Sequence, residues 1–201
     1  MVSFPPIFAL LTLFVFLGYL LVADFGLAKL VKDGESTATF CGTPEYLAPE
    51  MIEVEPAYDK TVDWWALGTL LFELLVGIPP FYHHKQHRMF KMIKQEQAEF
   101  PNKISHGFTV SNTAKDLLEK LLAKDPKDRL GSKGGVKEIL AHPWFNDIIE
   151  DEIINKKKKS PYIPEVKENL FYFDPMLTAA KNITDSVLPR ERVQLIKENK
   201  N

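Results

Sequence analysis

The chain has 201 residues, of which 45% are hydrophobic and 26% are charged, and this composition is typical of a globular protein of about one domain rather than of a disordered chain. Its net charge of −2 gives no electrostatic reason to expect a nucleic-acid partner. A single cysteine, Cys41, excludes an intramolecular disulfide framework and favours a reducing compartment such as the cytoplasm.

The first segment of the chain is apolar. Residues 4–23 are 20 residues without a charge, about the length at which a helix crosses a bilayer core of ~30 Å. No lysine or arginine precedes the stretch and no small-residue cleavage site follows it, which argues against a signal peptide. Its end, "GYLLVA" at 18–23, has the composition of a buried strand. Three interpretations remain open: a membrane anchor through residues 4–23, a mis-joined coding sequence, and a soluble apolar extension over residues 1–17.

Four helices are predicted after this single strand. The first, over residues 61–77, is apolar almost all round, as expected of a helix at the centre of a domain, and a glycine and two prolines end it. A second, amphipathic helix covers residues 85–95, and a third, over residues 111–124, has Ser111 as its N-cap. A short fourth helix within "GVKEILAHPWF" stops at Pro143. The sequence therefore predicts a mainly α fold.

Several short motifs occur in a fixed order along the chain. They are "DFG" at 24–26, "CGTPEYLAPE" at 41–50, "DWWALG" at 63–68, "KDPKDRLG" at 124–131 and "HPWF" at 142–145. In this order and spacing they resemble the AGC group of serine/threonine protein kinases, from the metal-binding strand onward. The resemblance implies a protein-kinase large (C-terminal) lobe over residues 18–145 and an AGC-type tail over residues 146–201. The expected fold is mainly α, with an apolar N-terminal segment and an extended C-terminal tail.

Asp24 is the residue on which the expected cofactor chemistry depends. Phosphoryl transfer requires positioning and charge neutralisation, and the resemblance implies ATP and Mg²⁺ as cofactors of the family. Asp24 matches the carboxylate that chelates Mg²⁺, a hard cation that prefers oxygen ligands. In isolation, an aspartate so close to a glycine would instead be interpreted as a turn residue. In the tail, Phe173 matches a residue that reaches the adenine pocket.

The segment between Asp24 and Glu50 carries the expected switch. By resemblance Thr39 is the activation-loop phosphosite, at which an upstream activating kinase would add about two negative charges. Thr43 matches the threonine that faces the catalytic aspartate and helps to select serine or threonine substrates. The arginine that binds this phosphate in the family precedes the catalytic aspartate, and residues 1–23 contain no arginine.

Substrate recognition is also implied by the resemblance. Phe40, Pro44 and Leu47 match the family's apolar socket for the residue after the phosphoacceptor. Glu45 and Glu73 match carboxylates that pair with arginines before the acceptor, so protein substrates with basic residues before Ser or Thr are expected. Glu73 also lies in a helix that is otherwise apolar, and a structural ion pair is the alternative role for its carboxylate.

Three further residues match structural positions of the family. Glu50 and Arg129 match a buried salt bridge that anchors the activation segment. Asp63 matches a residue that caps backbone groups of the catalytic loop, a loop that is not recognisable in this sequence.

The parts of a kinase that bind the nucleotide and supply the base are not recognisable either. Residues 1–23 contain no Asp, Asn, Lys, Arg, Glu or His, so neither the strand lysine nor the catalytic-loop Asp and Asn can lie between Met1 and Asp24. The 201-residue polypeptide is therefore predicted to be inactive as given. Two functions of different class remain: a serine/threonine kinase represented by its large lobe and tail, or a non-catalytic binding or regulatory module, cytoplasmic or held at a membrane by residues 4–23.

Overall fold

The structure is a computed structural model that describes residues 13–16, 19–22, 35–38, 42–161 and 163. Within it the N-terminal segment contains two strands, β1 (Leu13–Phe16) and β2 (Tyr19–Val22). They pair antiparallel, with Leu13 opposite Val22 and Phe16 opposite Tyr19. The predicted strand over residues 18–23 is confirmed as β2. The expectation of a single strand is wrong, because pairing with β1 satisfies backbone groups that one strand alone would leave open.

Helix α1 (Val62–Val76) is the central element. It begins after Thr61 and ends at Gly77, which has the left-handed backbone conformation (φ 96°) that glycine adopts without strain. The prediction of a helix over residues 61–77 is confirmed. Burial along it is uneven, because Trp65 is fully buried whereas Leu74 is 72% exposed.

Three helices follow, α2 (Gln86–Gln95), α3 (Lys103–His106) and α4 (Asn112–Leu121). The predicted N-cap of α4 is confirmed, since the Ser111 hydroxyl accepts a hydrogen bond from the Ala114 N–H at 3.2 Å. Helices α1 and α4 pack closely at Gly68. A Cβ atom there would lie 2.9 Å from Cβ of Leu121, so the absence of a side chain permits the approach.

The described chain continues through α5 (Val136–Leu140) and α6 (Glu150–Ile154). Three 3₁₀ helices, Pro44–Tyr46, Pro49–Ile52 and Pro143–Phe145, each begin with a proline, whose fixed φ suits the first helical position. All these elements belong to the first of two compact units, residues 1–161.

Two apolar clusters form the core of this unit. One joins residues 47–51 to α1 and α2 through Leu47, Trp65 and Ile93, all at most 1% exposed. The other joins α1 to α4 and α5. In the described part of the chain no helix has both the length and the apolar character needed to cross a membrane. A spanning helix over residues 4–23 is not what the structure has, since residues 13–16 and 19–22 are paired strands, and residues 4–12 lie outside the described residues.

Candidate functional site

The candidate site is built on residues 42–52, in which the 3₁₀ helix Pro44–Tyr46 packs on α1 and the 3₁₀ helix Pro49–Ile52 packs on α2. Thr43, Pro44 and Glu45 are half-buried. Leu47 is 1% exposed and belongs to the core, where it positions the segment. The expectation that Leu47 lines a socket for a substrate side chain stays a prediction, and such a socket would have to open onto this core.

The hydroxyl of Tyr46 donates a hydrogen bond to Oε2 of Glu73 in the second half of α1. Burial, then the hydrogen bond and charge of Glu73, and then the charge of Glu45 raise the pKa of Tyr46 above its ordinary value. The phenol therefore stays protonated and donates at physiological pH. Glu73 therefore contacts the residue that follows Glu45 in sequence, which joins this half of α1 to the segment that carries Glu45.

Glu73 has no cationic partner among the residues that the structure describes. The structural ion pair considered as an alternative from the sequence is therefore not formed within that part of the chain. The carboxylate of Glu73 is half-buried, and its described hydrogen bond is to a neutral phenol. Such a group can accept further hydrogen bonds from a cation that arrives from solution.

The structure also brings Glu50 and Arg129 together. Nη1 and Nη2 of Arg129 donate to the two carboxylate oxygens of Glu50 at 2.6 and 2.9 Å. The arginine is fully buried, and it also donates to the carbonyl oxygens of Thr61 at 3.0 Å and Ala123 at 3.2 Å. This bidentate geometry, with further acceptors for the remaining N–H groups, is the arrangement in which a buried ion pair is well satisfied.

Asp63, in the first turn of α1, is buried without the satisfied hydrogen bonds that Glu50 and Arg129 have. It is 5% exposed, and its Oδ1 atom has no hydrogen-bond partner among the described residues. Burial raises the pKa of this carboxyl from its ordinary 3.8 to about 8. The group expected to cap a catalytic loop is thus a buried acceptor that still requires donors.

A short segment before the site is fixed by one backbone bridge. The N–H of Thr37 donates to the carbonyl of Tyr58 at 2.9 Å, and the N–H of Tyr58 donates back at 3.1 Å. Asp24, Thr39, Phe40 and Phe173 lie outside the described residues, and their roles stay predictions.

Sequence reasoning missed Tyr46, which positions Glu73. The contact spans 27 positions, so no local pattern indicates it. One signal was available: Glu73 lies in a helix that is otherwise apolar, and a carboxylate there needs a polar partner. Tyr46 was a candidate for that partner, because it follows Glu45, the residue that the sequence analysis grouped with Glu73.

Comparison with known proteins places the chain in a family. Residues 13–145 match the protein kinase domain. Serine/threonine-protein kinase Sgk1 of Rattus norvegicus is 43% identical over 164 residues, which cover 80% of this chain and 36% of that protein. For Sgk1 of Homo sapiens the identity is 44% over 165 residues, with 80% and 36% covered. For sgk-1 of Caenorhabditis elegans it is 45% over 152 residues, with 75% and 31% covered. The chain spans about a third of the length of these curated relatives.

Proposed function

The chain belongs to the protein kinase family, in its AGC group of serine/threonine kinases, and from this membership we propose that residues 42–52 and Glu73 form the substrate-recognition surface of such a kinase. Its substrates are proteins with basic residues before the phosphoacceptor serine or threonine. Its activity is regulated by an upstream kinase that phosphorylates Thr39.

The hydrogen bond to Glu73 from the hydroxyl of Tyr46, which is next to Glu45 in sequence, carries this proposal. An arginine guanidinium offers five N–H donors in a planar fork, so it can bridge closely placed carboxylates. The Tyr46 hydrogen bond fixes one of the two carboxylates in advance, which reduces the ordering cost when a cationic side chain binds. A half-buried carboxylate at Glu73, fixed by Tyr46 beside Glu45, thus favours a substrate rich in arginine.

The buried Glu50–Arg129 pair supports the regulatory half of the proposal. It holds the 3₁₀ helix Pro49–Ile52 against the carbonyl of Thr61 at the start of α1. This pair lies on the C-terminal side of Thr39 and supplies a fixed anchor against which a phosphate on Thr39 would act.

Members of this family use ATP with Mg²⁺, and Asp24 is the residue proposed to hold the metal. Within residues 35–38 and 42–161 no group of three or more His, Cys, Asp or Glu is placed to bind a metal ion. We expect the 201-residue polypeptide to transfer no phosphate by itself, since residues 1–23 contain none of the side chains of a catalytic loop.

A binding experiment tests the substrate surface without requiring catalysis. The full chain is titrated with a peptide that has arginines before a serine, and with the same peptide in which neutral citrulline replaces them. Because a hydrogen bond to a charged group is worth about 1.5–3 kcal/mol, Glu73→Gln is expected to weaken the arginine peptide about tenfold or more. The matched control is Glu119→Gln, which changes an exposed carboxylate on α4 and should leave both affinities unchanged.

The coupling between Glu73→Gln in the chain and citrulline in the peptide shows whether Glu73 contacts the arginines. If Glu73 contacts the arginines, Glu73→Gln has little further effect on the citrulline peptide, so the double-mutant cycle is non-additive. Equal losses for both peptides would mean that Glu73 only positions Tyr46.

Sequencing of transcripts across the 5′ end then separates the kinase from a non-catalytic module. A reading frame that continues upstream into a glycine-rich loop and a catalytic-loop aspartate supports the kinase, and transcripts that start at Met1 support the module.

A further inference from the structure

Lys124 follows the end of α4 and has its amino group against the apolar core. The Nζ atom lies 3.9 Å from the ring centroid of Phe81 and 5.0 Å from that of Trp65. It also donates a hydrogen bond, 2.7 Å long, to the carbonyl oxygen of Ile93 in the last turn of α2. Phe81, Trp65 and Ile93 are each at most 2% exposed. The amino group is therefore shielded from water on this side, while the side chain as a whole is half-buried.

The charges around Lys124 do not neutralise it. No carboxylate forms an ion pair with it among the residues that the structure describes. Arg129, the other cation at the Trp65 ring, lies 5.3 Å from the ring centroid and is paired with Glu50. Burial, and then the charge of Arg129, lower the pKa of Lys124 to about 8, and the charge of Glu96 acts in the opposite direction. The attraction of the ammonium group to the two rings offsets part of the cost of burial.

A lysine that is desolvated and lies near a second cation is an activated nucleophile. With a pKa of about 8, about a fifth of the Lys124 side chains are neutral amines at pH 7.4, whereas an ordinary lysine with a pKa of 10.5 is neutral in about one molecule in a thousand. The neutral amine has the free electron pair that attacks an electrophilic carbon. It also keeps the hydrogen bond to the Ile93 carbonyl, because a neutral amine still has N–H donors.

From this arrangement we propose that Lys124 is a site of acylation by acyl thioesters. The neutral Nζ atom attacks the carbonyl carbon of the thioester, a C–N bond forms, the C–S bond breaks, and one amine proton passes to the departing thiolate, which leaves as a thiol. The product is an uncharged amide whose remaining N–H can donate to the Ile93 carbonyl. Acylation therefore removes a charge from the edge of the core without removing the donor. This proposal goes beyond the proposed function and does not depend on it.

Competitive labelling of the full chain tests the activation of Lys124. The chain is treated briefly with the acetyl thioester of N-acetylcysteamine between pH 6.5 and 9.5, then denatured and fully acetylated with isotopically heavy acetic anhydride, and mass spectrometry gives the light-to-heavy ratio at each lysine. Lys120 is the internal control, because its side chain is 49% exposed and pairs with Asp116. The rate at Lys124 should level off above about pH 8.5, whereas the rate at Lys120 should keep rising. At pH 7.4 Lys124 should react about tenfold faster than Lys120, since its larger neutral fraction outweighs the lower nucleophilicity of a weaker base.

Two matched variants test the electrostatic cause. Glu96→Gln removes the carboxylate whose charge raises the pKa of Lys124, so it should speed acetylation of Lys124 at pH 7.4 by about twofold and leave Lys120 unchanged. Glu119→Gln removes an exposed carboxylate that pairs with Lys115 and should change neither rate. Slower acetylation of Lys124 in Glu96→Gln would contradict the electrostatic explanation.

The pH profile can also refute the proposal. A rate at Lys124 that rises in parallel with that of Lys120 up to pH 9.5 would overturn the activation. A rate at Lys124 below that of Lys120 at every pH would overturn it too, because the amine would then be shielded from the reagent. Peptide mapping of chain isolated with deacylase inhibitors should find acyl groups on Lys124, and their consistent absence would overturn its use as a modification site. The labelling requires neither kinase activity nor a peptide substrate, so its failure is distinct from failure of the proposed function.

Discussion

Asp63 allows a sharp test of how this helical unit balances buried charge. Its carboxyl is 5% exposed, Oδ1 has no partner among the described residues, and burial raises its pKa to about 8. The substitution Asp63→Asn keeps the shape of the side chain and removes the ionisation. We expect Asp63→Asn to stabilise the folded chain at neutral pH, although the position matches a structural residue of the family that caps backbone groups.

The magnitude follows from the difference between the folded pKa of about 8 and the ordinary value of 3.8. Between these values the unfolded chain has released the proton and the folded chain still holds it, so the free energy of unfolding falls as pH rises, by about 1.4 kcal/mol per pH unit. Below pH 4 both states are protonated and the penalty disappears. At pH 7 it reaches about 4 kcal/mol, which is the expected gain from Asp63→Asn.

The assay is urea unfolding of the full chain at several pH values between 4 and 8. The difference between Asp63→Asn and the parent should grow from near zero at pH 4 to its full value near pH 8. The control Asp147→Asn removes an exposed carboxylate. Its free energy of unfolding should change with pH in the same way as that of the parent chain. A pH-independent difference for Asp63→Asn would refute the reasoning, because it would mean that Asp63 is ionised in the folded chain.

Three further substitutions test the packing around the site, each by the same unfolding measurement. Glu50→Ala leaves Arg129 buried without its anion and should lower the free energy of unfolding by about 3–5 kcal/mol; a loss near zero would mean that the pair is open to water. Ser111→Ala removes the cap of α4 and should cost about 1 kcal/mol, and an unchanged midpoint would contradict the hydrogen bond seen there. Gly68→Ala forces a Cβ to within 2.9 Å of Leu121 and should destabilise by about 1–3 kcal/mol, despite the better helix propensity of alanine; stabilisation would show that α1 and α4 can separate freely.

Local signals were sufficient to predict most helices. Ser111 has the short polar side chain of an N-cap, and apolar residues at helical spacing follow it, so α4 was predictable at its first turn. The end of α1 at Gly77 was predictable because only a residue that tolerates positive φ can continue from that turn. These features depend on residues within a few positions of one another.

Other features depend on contacts between distant residues. The apolar stretch before Asp24 has the composition of a strand and of a membrane span alike, and only the pairing of β1 with β2 identifies strands. Helix α1 is apolar on every side, so its sequence has no periodicity that could distinguish buried Trp65 from exposed Leu74. The Tyr46–Glu73 contact joins residues far apart in the chain.

The two tertiary anchors of residues 42–52 differ in a way that suits substrate recognition. The first anchor reaches Thr61, directly before α1, and the second reaches Glu73 in the last turn of α1. At the first end, the buried Arg129 joins Glu50 to the carbonyl of Thr61, and breaking this pair would leave an uncompensated buried charge. At the second end, Glu73 is half-buried and bonded to the neutral Tyr46 hydroxyl, so it can exchange or add partners at small cost. Under the proposed function, a cationic substrate would bind where the segment can adjust, while the Glu50–Arg129 pair keeps the rest of the segment in place.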